Sequence, residues 1–283
     1  MEGLTTTERR GRAIKAAMQI AATYGLKSKE PVVLKDSNNT VIHLTPSPVV
    51  AKVATTILTR QTVSNLAHEL KVALHLVKLE APIVPPSLEI PPTTYWSDDL
   101  EITFWHYCSG KVRENIDHPE LVAALQQFHA ALASYKGALK PFTEDYAVCY
   151  SLLDSDHLSP DLSRDDRRFL RQLYEHLSAS LQNLDYERVP VHTEIHGGNI
   201  LWTNGKPLLI DFESCSRGPR ELDFLFFSAK NLSACPDLNK PLMNILSQLR
   251  SFRVAVWCWS QPDRAPEVRE AAEYHLGRLH DLN

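Results

Sequence analysis

Val191-His192-Thr193-Glu194-Ile195-His196-Gly197-Gly198-Asn199-Ile200-Leu201-Trp202, running on through Thr203-Asn204-Gly205-Lys206-Pro207 to Leu208-Leu209-Ile210-Asp211-Phe212-Glu213, is the most informative stretch of the chain. Asn204-Gly205 between two apolar runs is a strong signal for a two-residue β-hairpin. Counting outward from that turn sets Thr203 opposite Lys206 and Asn199 opposite Ile210, so Asp211 comes beside Asn199 at the open end of the hairpin. Pro207 works against this register, because it has no N–H for the ladder. An amide and a carboxylate at one end of a hairpin are oxygen ligands that suit Mg²⁺, an ion that keeps several waters and leans on phosphates. Glu194 falls in the tight loop before the hairpin, where a carboxylate can orient an attacking hydroxyl.

The bulk properties narrow the class around that stretch. The chain has 283 residues, 43% of them hydrophobic, a length that suits two lobes better than one core. Thirty basic against 34 acidic residues leave a formal charge of −4, so no basic excess points to nucleic acid. The cysteines, Cys108, Cys149, Cys215, Cys235 and Cys258, are odd in number and have no zinc spacing. They read as buried thiols of a reducing cytosol. Met1 to Arg10 has no apolar signal core. No run approaches the ~18 apolar residues of a membrane span, so a soluble cytoplasmic protein is expected.

The coarse pattern is a small α/β half followed by a larger helical half with a short β insert. A helix is expected over about Thr7 to Tyr24, with Ile14, Ala17, Met18 and Ala21 on one face and Gly25 as its stop. Pro31 to Leu34, Val41 to Leu44 and Pro48 to Ala54 read as strands, the last containing Lys52. A helix over about Ser64 to Leu79 is expected to bury Leu66, Leu70, Leu74 and Val77 and to leave Glu69 off that line. A strand over Leu100 to Tyr107 ends at Ser109-Gly110, and the lobe boundary is placed there, giving lobes 1–108 and 109–283. Asp117-x-x-Glu120 reads as a capping box, ahead of a helix that packs through Leu121, Leu125, Phe128 and Leu132. Ser163-x-x-Asp166 opens another, packed through Leu170, Leu173, Leu177 and Leu181, and the last helix covers about Glu267 to Leu282.

His192-Thr193-Glu194 with Asn199, then Asp211-Phe212-Glu213, resembles the kinase signature H-R-D-x-x-x-x-N followed by D-F-G. It more closely resembles the aminoglycoside phosphotransferase family, whose members read roughly H-G-D-x-x-x-x-N and then a D-F-E-like triplet. Gly218-Pro219-Arg220-Glu221-Leu222-Asp223 is also typical of that family, and Phe128-His129-Ala130-Ala131-Leu132 resembles its Leu-His-x-x-Leu helix. The resemblance covers about Asp36 to Asp223. It implies a two-lobed, protein-kinase-like α+β fold with a small N-terminal sheet lobe and a larger, mainly helical C-terminal lobe. It further implies ATP between the lobes, with Ser37, Asn38 and Asn39 in the phosphate loop and Trp105, His106 and Tyr107 bordering the adenine. Lys52, steadied by Glu69, would hold the phosphates. Asn199 and Asp211 would hold Mg²⁺, and Glu194 would take the place of the catalytic Asp. The departures are Glu194 itself, Thr193 in place of glycine, and a phosphate loop without glycine.

Taken singly, most of these residues have plainer readings. Lys52 alone would be an edge lysine, Glu69 a solvated helix residue, and His192 and Asp223 structural groups of the loop. His196 reads as a loop residue whose closeness to Glu194 leaves a catalytic contact open. Together they imply transfer of the terminal phosphoryl group of ATP to a hydroxyl of a small molecule, with an aminoglycoside or similar antibiotic as first substrate. A kinase of choline, homoserine or a sugar-amine adduct, and a nucleotide-binding pseudokinase without turnover, are the alternatives. No nucleic-acid or membrane partner is expected, and the sequence is silent on oligomeric state.

Overall fold

The computed structural model describes residues 5–37, 39–55, 65–112, 116, 118–154, 156–233, 235, 237–260 and 266–282. In chain order the regular elements begin with α1 (Thr6–Thr23), β1 (Val32–Asp36), β2 (Asn39–His43), β3 (Val49–Ala54) and α2 (Asn65–Lys78). Then come β4 (Tyr95–Ser97), β5 (Leu100–His106), β6 (Lys111–Val112), α3 (Pro119–Ala133), α4 (Thr143–Leu152) and α5 (Arg164–Gln182). The remainder are β7 (Val189–Val191), β8 (Ile200–Thr203), β9 (Lys206–Leu209), β10 (Ser216–Gly218), α6 (Ala229–Leu232), α7 (Lys240–Trp259) and α8 (Pro266–Leu282). Two compact units divide the chain: Met1–Ala138 with Glu194–Cys215, and Leu139–Thr193 with Ser216–Asn283.

In the first unit, β1 to β5 form one antiparallel sheet in the order β1-β2-β3-β5-β4. The near-continuous apolar run Val49-Val50-Ala51-Lys52-Val53-Ala54 is buried at every position of β3, Lys52 included. Helix α1 packs on this sheet through Ala13, Ala16, Ala17 and Ala21, with Ile14 and Met18 at the rim. Thr5 and Glu8 close a capping box at its start. Gly25, at φ 78°, ends it in the left-handed conformation, with Gly25 N–H on Ala22 O and Leu26 N–H on Ala21 O.

Helix α2 corrects the expected apolar stripe. Its buried residues are Leu66, Glu69, Leu70, Val72, Ala73 and Leu76, whereas Val77 is exposed. The reason is geometric: at 3.6 residues per turn, steps of four drift around the helix axis, so the Leu66-Leu70-Leu74 line leaves the buried face. Ser64, where the helix was expected to begin, and Asp117 of the expected capping box lie outside the described residues. Helix α3 instead has His118 as its N-cap, without a side-chain capping bond, and Pro119 in its first turn. Leu121, Leu125, Phe128 and Leu132 are all buried, as expected.

The second unit is mainly helical. Ser163 caps α5 by accepting the Asp166 N–H, and Leu170, Leu173, Leu177 and Leu181 enter one apolar core with Leu242, Leu246, Leu249 and Phe252 of α7. β7 and β10 form a short antiparallel pair. The five cysteines are free thiols. Among the described residues no helix is long and apolar enough to cross a membrane.

The hairpin of the first unit has the register counted from its turn. Thr203 pairs with Lys206, Trp202 with Pro207, and Ile200 with Leu209. Pro207 is tolerated because β9 is the outer strand of the order β6-β8-β9. Asn204 and Gly205 have φ of 49° and 78°, the pair of positive values a type I′ turn needs. A Cβ on Gly205 would meet nothing within 4 Å, so its cost would be conformational only. Gly205→Ala is therefore expected to lower unfolding free energy by about 1 kcal/mol in a urea titration. An unchanged midpoint would show that the turn tolerates a side chain.

Candidate active site

Three carboxylates converge on one ammonium. Lys52 Nζ, on β3, lies 2.9 Å from Glu69 Oε2, 2.9 Å from Asp211 Oδ1 and 2.6 Å from Glu213 Oε1. Burial alone would lower the lysine pKa, but Asp211, Glu213 and Glu69 outweigh it and hold the ammonium well above its ordinary value. Burial is also the largest influence on Glu69. Lys52 pulls its carboxyl down, Glu213 and Asp211 push it up, and the result is a rise to about 8. Three acids against one base leave two negative charges in excess when all are ionised.

The backbone of residues 211–213 is tied to α2. Asp211 adopts the left-handed conformation, φ 72° and ψ 68°, and opens a short 3₁₀ turn, Phe212–Ser214. Glu69 Oε1 accepts the Phe212 N–H at 3.1 Å, and His68 Nε2 is 3.0 Å from Cys215 O. The fully buried Phe212 ring stacks against Phe128 of α3, centroids 6.0 Å apart. So α2 holds this segment by a carboxylate and an imidazole, and α3 holds it by packing.

The loop before β8 supplies the other groups. Ile210 N–H donates to Asn199 O at 3.1 Å, which places Asp211 next after the last hairpin bond. Asn199 is buried; its Nδ2 donates to Glu194 O at 3.1 Å, leaving Oδ1 as the oxygen a hard cation would use. His196 Nδ1 accepts the Gly198 N–H at 3.1 Å, and its Nε2 lies 3.6 Å from Glu194 Oε2. Because Nδ1 is an acceptor, the neutral ring carries its proton on Nε2, facing the Glu194 carboxylate. A Cβ on Gly198 would stand 3.0 Å from the His196 ring, so glycine there is what lets the ring close over the loop. In the second unit, Asp223 is fully buried and accepts the N–H groups of His192 and Thr193 at 3.0 and 2.6 Å, the structural role expected of it.

Of the phosphate-loop residues, Ser37 is exposed, Asn38 lies outside the described residues, and Asn39 is buried. Asn39 Nδ2 reaches Glu213 Oε1 at 2.5 Å, and its buried Oδ1 has no hydrogen-bond partner. The three residues assigned to the adenine border differ among themselves. Trp105 packs inward with Nε1 on Thr103, the His106 side chain is exposed, and Tyr107 stacks on His43 at 3.6 Å. The N–H groups of His106 and Tyr107 are spent on Pro85 O and Pro48 O. Any hydrogen bond from this border to a base would therefore have to come from other atoms. Glu213 was given no role from sequence. Its signal was present, as the third residue of Asp211-Phe212-Glu213, but only the fold brings it to Lys52.

An antiparallel sheet whose third strand offers a lysine to a helix glutamate, joined by an Asn/Asp hairpin, is the arrangement of protein-kinase-like phosphotransferases. The chain belongs to the APH phosphotransferase enzyme family, whose family model matches residues 31–272. Among solved structures it is similar to amicoumacin kinase hAmiN in complex with AMP-PNP, Ca²⁺ and Ami, with a TM-score of 0.70 and 13% identity over 99% of this chain and 97% of that one. It is also similar to choline kinase LicA from Streptococcus pneumoniae, with a TM-score of 0.69 and 15% identity over 95% of this chain and 99% of that one. At such identities the likeness establishes the protein-kinase-like α+β fold. Stress response kinase A of Salmonella choleraesuis (strain SC-B67) is 28% identical over 171 residues, 56% of this chain and 50% of that protein. The chain spans about half the length of the curated relatives it matches.

The Glu69 environment has a pH signature. A carboxyl at about 8 in the folded state, against an ordinary 4.5, keeps a proton that the unfolded chain has lost. Stability from this group therefore falls as pH rises from about 4.5 to about 8. Glu69→Gln should flatten that part of the stability–pH curve in urea titrations without nucleotide. A variant curve parallel to the native one would rule out the shared proton.

Proposed function

We propose that this protein transfers the terminal phosphoryl group of ATP to a hydroxyl of a small molecule. The observation that carries the reading is Lys52 gathering Glu69, Asp211 and Glu213 at one point of the unit that also holds Glu194 and Asn199. ATP is assigned to the face under Asp36–Thr40, with its phosphates on Lys52. Asp211 and the Asn199 Oδ1 fit a divalent cation, because the excess of two carboxylates over Lys52 invites two positive charges. Among the described residues no group of three or more His, Cys, Asp or Glu side chains stands ready to hold a metal ion. Mg²⁺ held by one carboxylate, one amide, waters and phosphates needs no such group. When bound, Mg²⁺ supplies charge neutralisation at the phosphates.

Glu194 is assigned to the acceptor. Its carboxylate would accept a hydrogen bond from the hydroxyl and take its proton as the new oxygen–phosphorus bond forms and the bond from the terminal phosphorus to the ADP oxygen breaks, ADP leaving. His196 Nε2–H faces that carboxylate and Asn199 Nδ2 fixes the Glu194 carbonyl, so the residue is steered from both ends. Lys52 keeps its proton throughout and serves as fixed positive charge.

For the acceptor, an aminoglycoside or related antibiotic is the first choice, as the resemblance implies. The fold neighbours include an amicoumacin kinase and a choline kinase, which keeps other amino alcohols in view. Five free thiols suit a reducing cytosol as the setting. The test is ATP consumption across a panel of hydroxyl compounds with Mg²⁺ present. Asp211→Ala is expected to abolish turnover, and Lys52→Ala to weaken nucleotide binding or turnover while the fold survives. Glu194→Gln should cut turnover roughly 100-fold or more, with nucleotide affinity nearly unchanged. Nucleotide binding without consumption on any compound would favour a pseudokinase. Full turnover in Glu194→Gln would hand the proton to another group, and an active Asp211→Ala would remove the proposed metal site.

A further inference from the structure

Helix α7 is unusual for an acidic chain. It carries Lys240, Arg250 and Arg253 and no Asp or Glu. Arg253 is balanced by Asp145 of α4, its Nη1 3.9 Å from Oδ2. Arg250 is not balanced in that way. Its guanidinium carbon lies over the Phe226 ring, 3.8 Å from the centroid, and its buried Nε has no hydrogen-bond partner.

Helix α8 runs beside α7 and adds to the same seam. Arg278 donates from Nη2 to Ser247 at 2.8 Å, and His275 Nδ1 lies 3.1 Å from the Ser251 hydroxyl. Ser247, Arg250 and Ser251 share one face of α7, and His275 and Arg278 share the facing side of α8. The groups that act on Arg250 are Arg278 and the phenols of Tyr146 and Tyr274, and none of them is a carboxylate. The described acids of α8, Glu270, Glu273 and Asp281, are exposed and none forms an ion pair with Arg250 or Arg278; Glu273 pairs with Arg269. Burial, then Arg250 and Arg278, press His275 down to about 4, so at neutral pH it is an uncharged ring, and where the Ser251 hydroxyl donates to Nδ1 its N–H is on Nε2.

Two guanidiniums in one seam repel each other, and a buried donor left unmade costs stability. Among the described residues no carboxylate forms an ion pair with either. We infer that the seam formed by Arg250, His275 and Arg278 binds an oxyanion, the carboxylate or phosphate group of a small molecule. Arg250 is held in place by the Phe226 ring, not by an acid, so its planar fork of donors stays ready for two oxygens. All three side chains are half-buried, which lets an anion arrive from solvent and lose much of its water on binding. The site lies wholly in the second unit and does not depend on the phosphotransfer reading.

The test is thermal unfolding of the full chain at constant ionic strength with inorganic phosphate, with acetate, and with chloride as reference. At a tenfold excess over its apparent Kd, at least one of the two oxyanions should raise Tm by roughly 2–3 °C. The effective probe tells which source the site prefers. Arg250→Gln and Arg278→Gln should each weaken the apparent affinity about tenfold or more, while Glu194→Gln should leave it intact. If Arg250→Gln does not fold by far-UV circular dichroism, Arg250→Lys keeps the charge, removes the fork and takes its place. A rise equal to chloride's, or one that persists undiminished in both arginine variants, would overturn the site. The latter would mark the general stabilising effect of excluded salts.

Discussion

A buried lysine that must serve three carboxylates is the constraint on which the first unit turns. Lys52 sits inside a fully buried strand, where an unpaired ammonium would cost several kcal/mol. Glu69, Asp211 and Glu213 remove that cost, but only if α2 and residues 211–213 come to the strand together. Much of the local structure follows from this. Glu69 is spent twice, on Nζ and on the Phe212 N–H, so the same carboxylate that holds the lysine sets the backbone on which Asp211 turns. Asn39, from the opposite side of the sheet's first hairpin, joins through Glu213. One positive charge cannot satisfy three negative ones. The surplus is held by a raised Glu69 pKa in the protein alone, and it is the electrostatic condition under which a divalent cation would be welcome.

How far this was legible from sequence depends on the range of each interaction. The hairpin was legible to the residue, because Asn204-Gly205 sets its own turn type and a turn sets register on both sides. Capping at Ser163 and the Leu170-Leu173-Leu177-Leu181 face were equally local. The Lys52–Glu69 pair was reached by resemblance, not by pattern. Periodicity argued against Glu69, since its burial makes sense only once Lys52 lies across from it. Glu213 was out of reach for the same reason, because its partners Lys52 and Asn39 are far away in the chain. The role of Gly198 also needed the fold: nothing in its neighbours announces that the His196 ring folds back over it. The Arg250 seam was invisible, as it depends on which residues of α7 and α8 face each other and on acids that are elsewhere.

The loop that carries Glu194 shows how a departure from the family pattern can be absorbed. Where the resemblance would put glycine, Thr193 stands at φ 72°, a conformation that costs a side-chain-bearing residue about 1–2 kcal/mol. The cost falls on a β-branched residue, for which positive φ is a true outlier. The buried Asp223 opposes it by accepting two consecutive N–H groups, His192 and Thr193, so the backbone is held in the shape that glycine would adopt freely. The chain passes from the second unit to the first between Thr193 and Glu194. Within the first unit Glu194 is then held by Asn199 on its carbonyl, with His196 Nε2 3.6 Å from its carboxylate. A glutamate in place of aspartate gains one methylene and one rotatable bond. Without a second contact, that freedom would blur the position of the carboxylate, and a displacement of ~1 Å matters to a reacting hydroxyl. The His196 ring, close over Gly198 with Nε2 3.6 Å from that carboxylate, is one contact that limits it, so under the proposed role the longer acid and the histidine beside it answer the same positional problem.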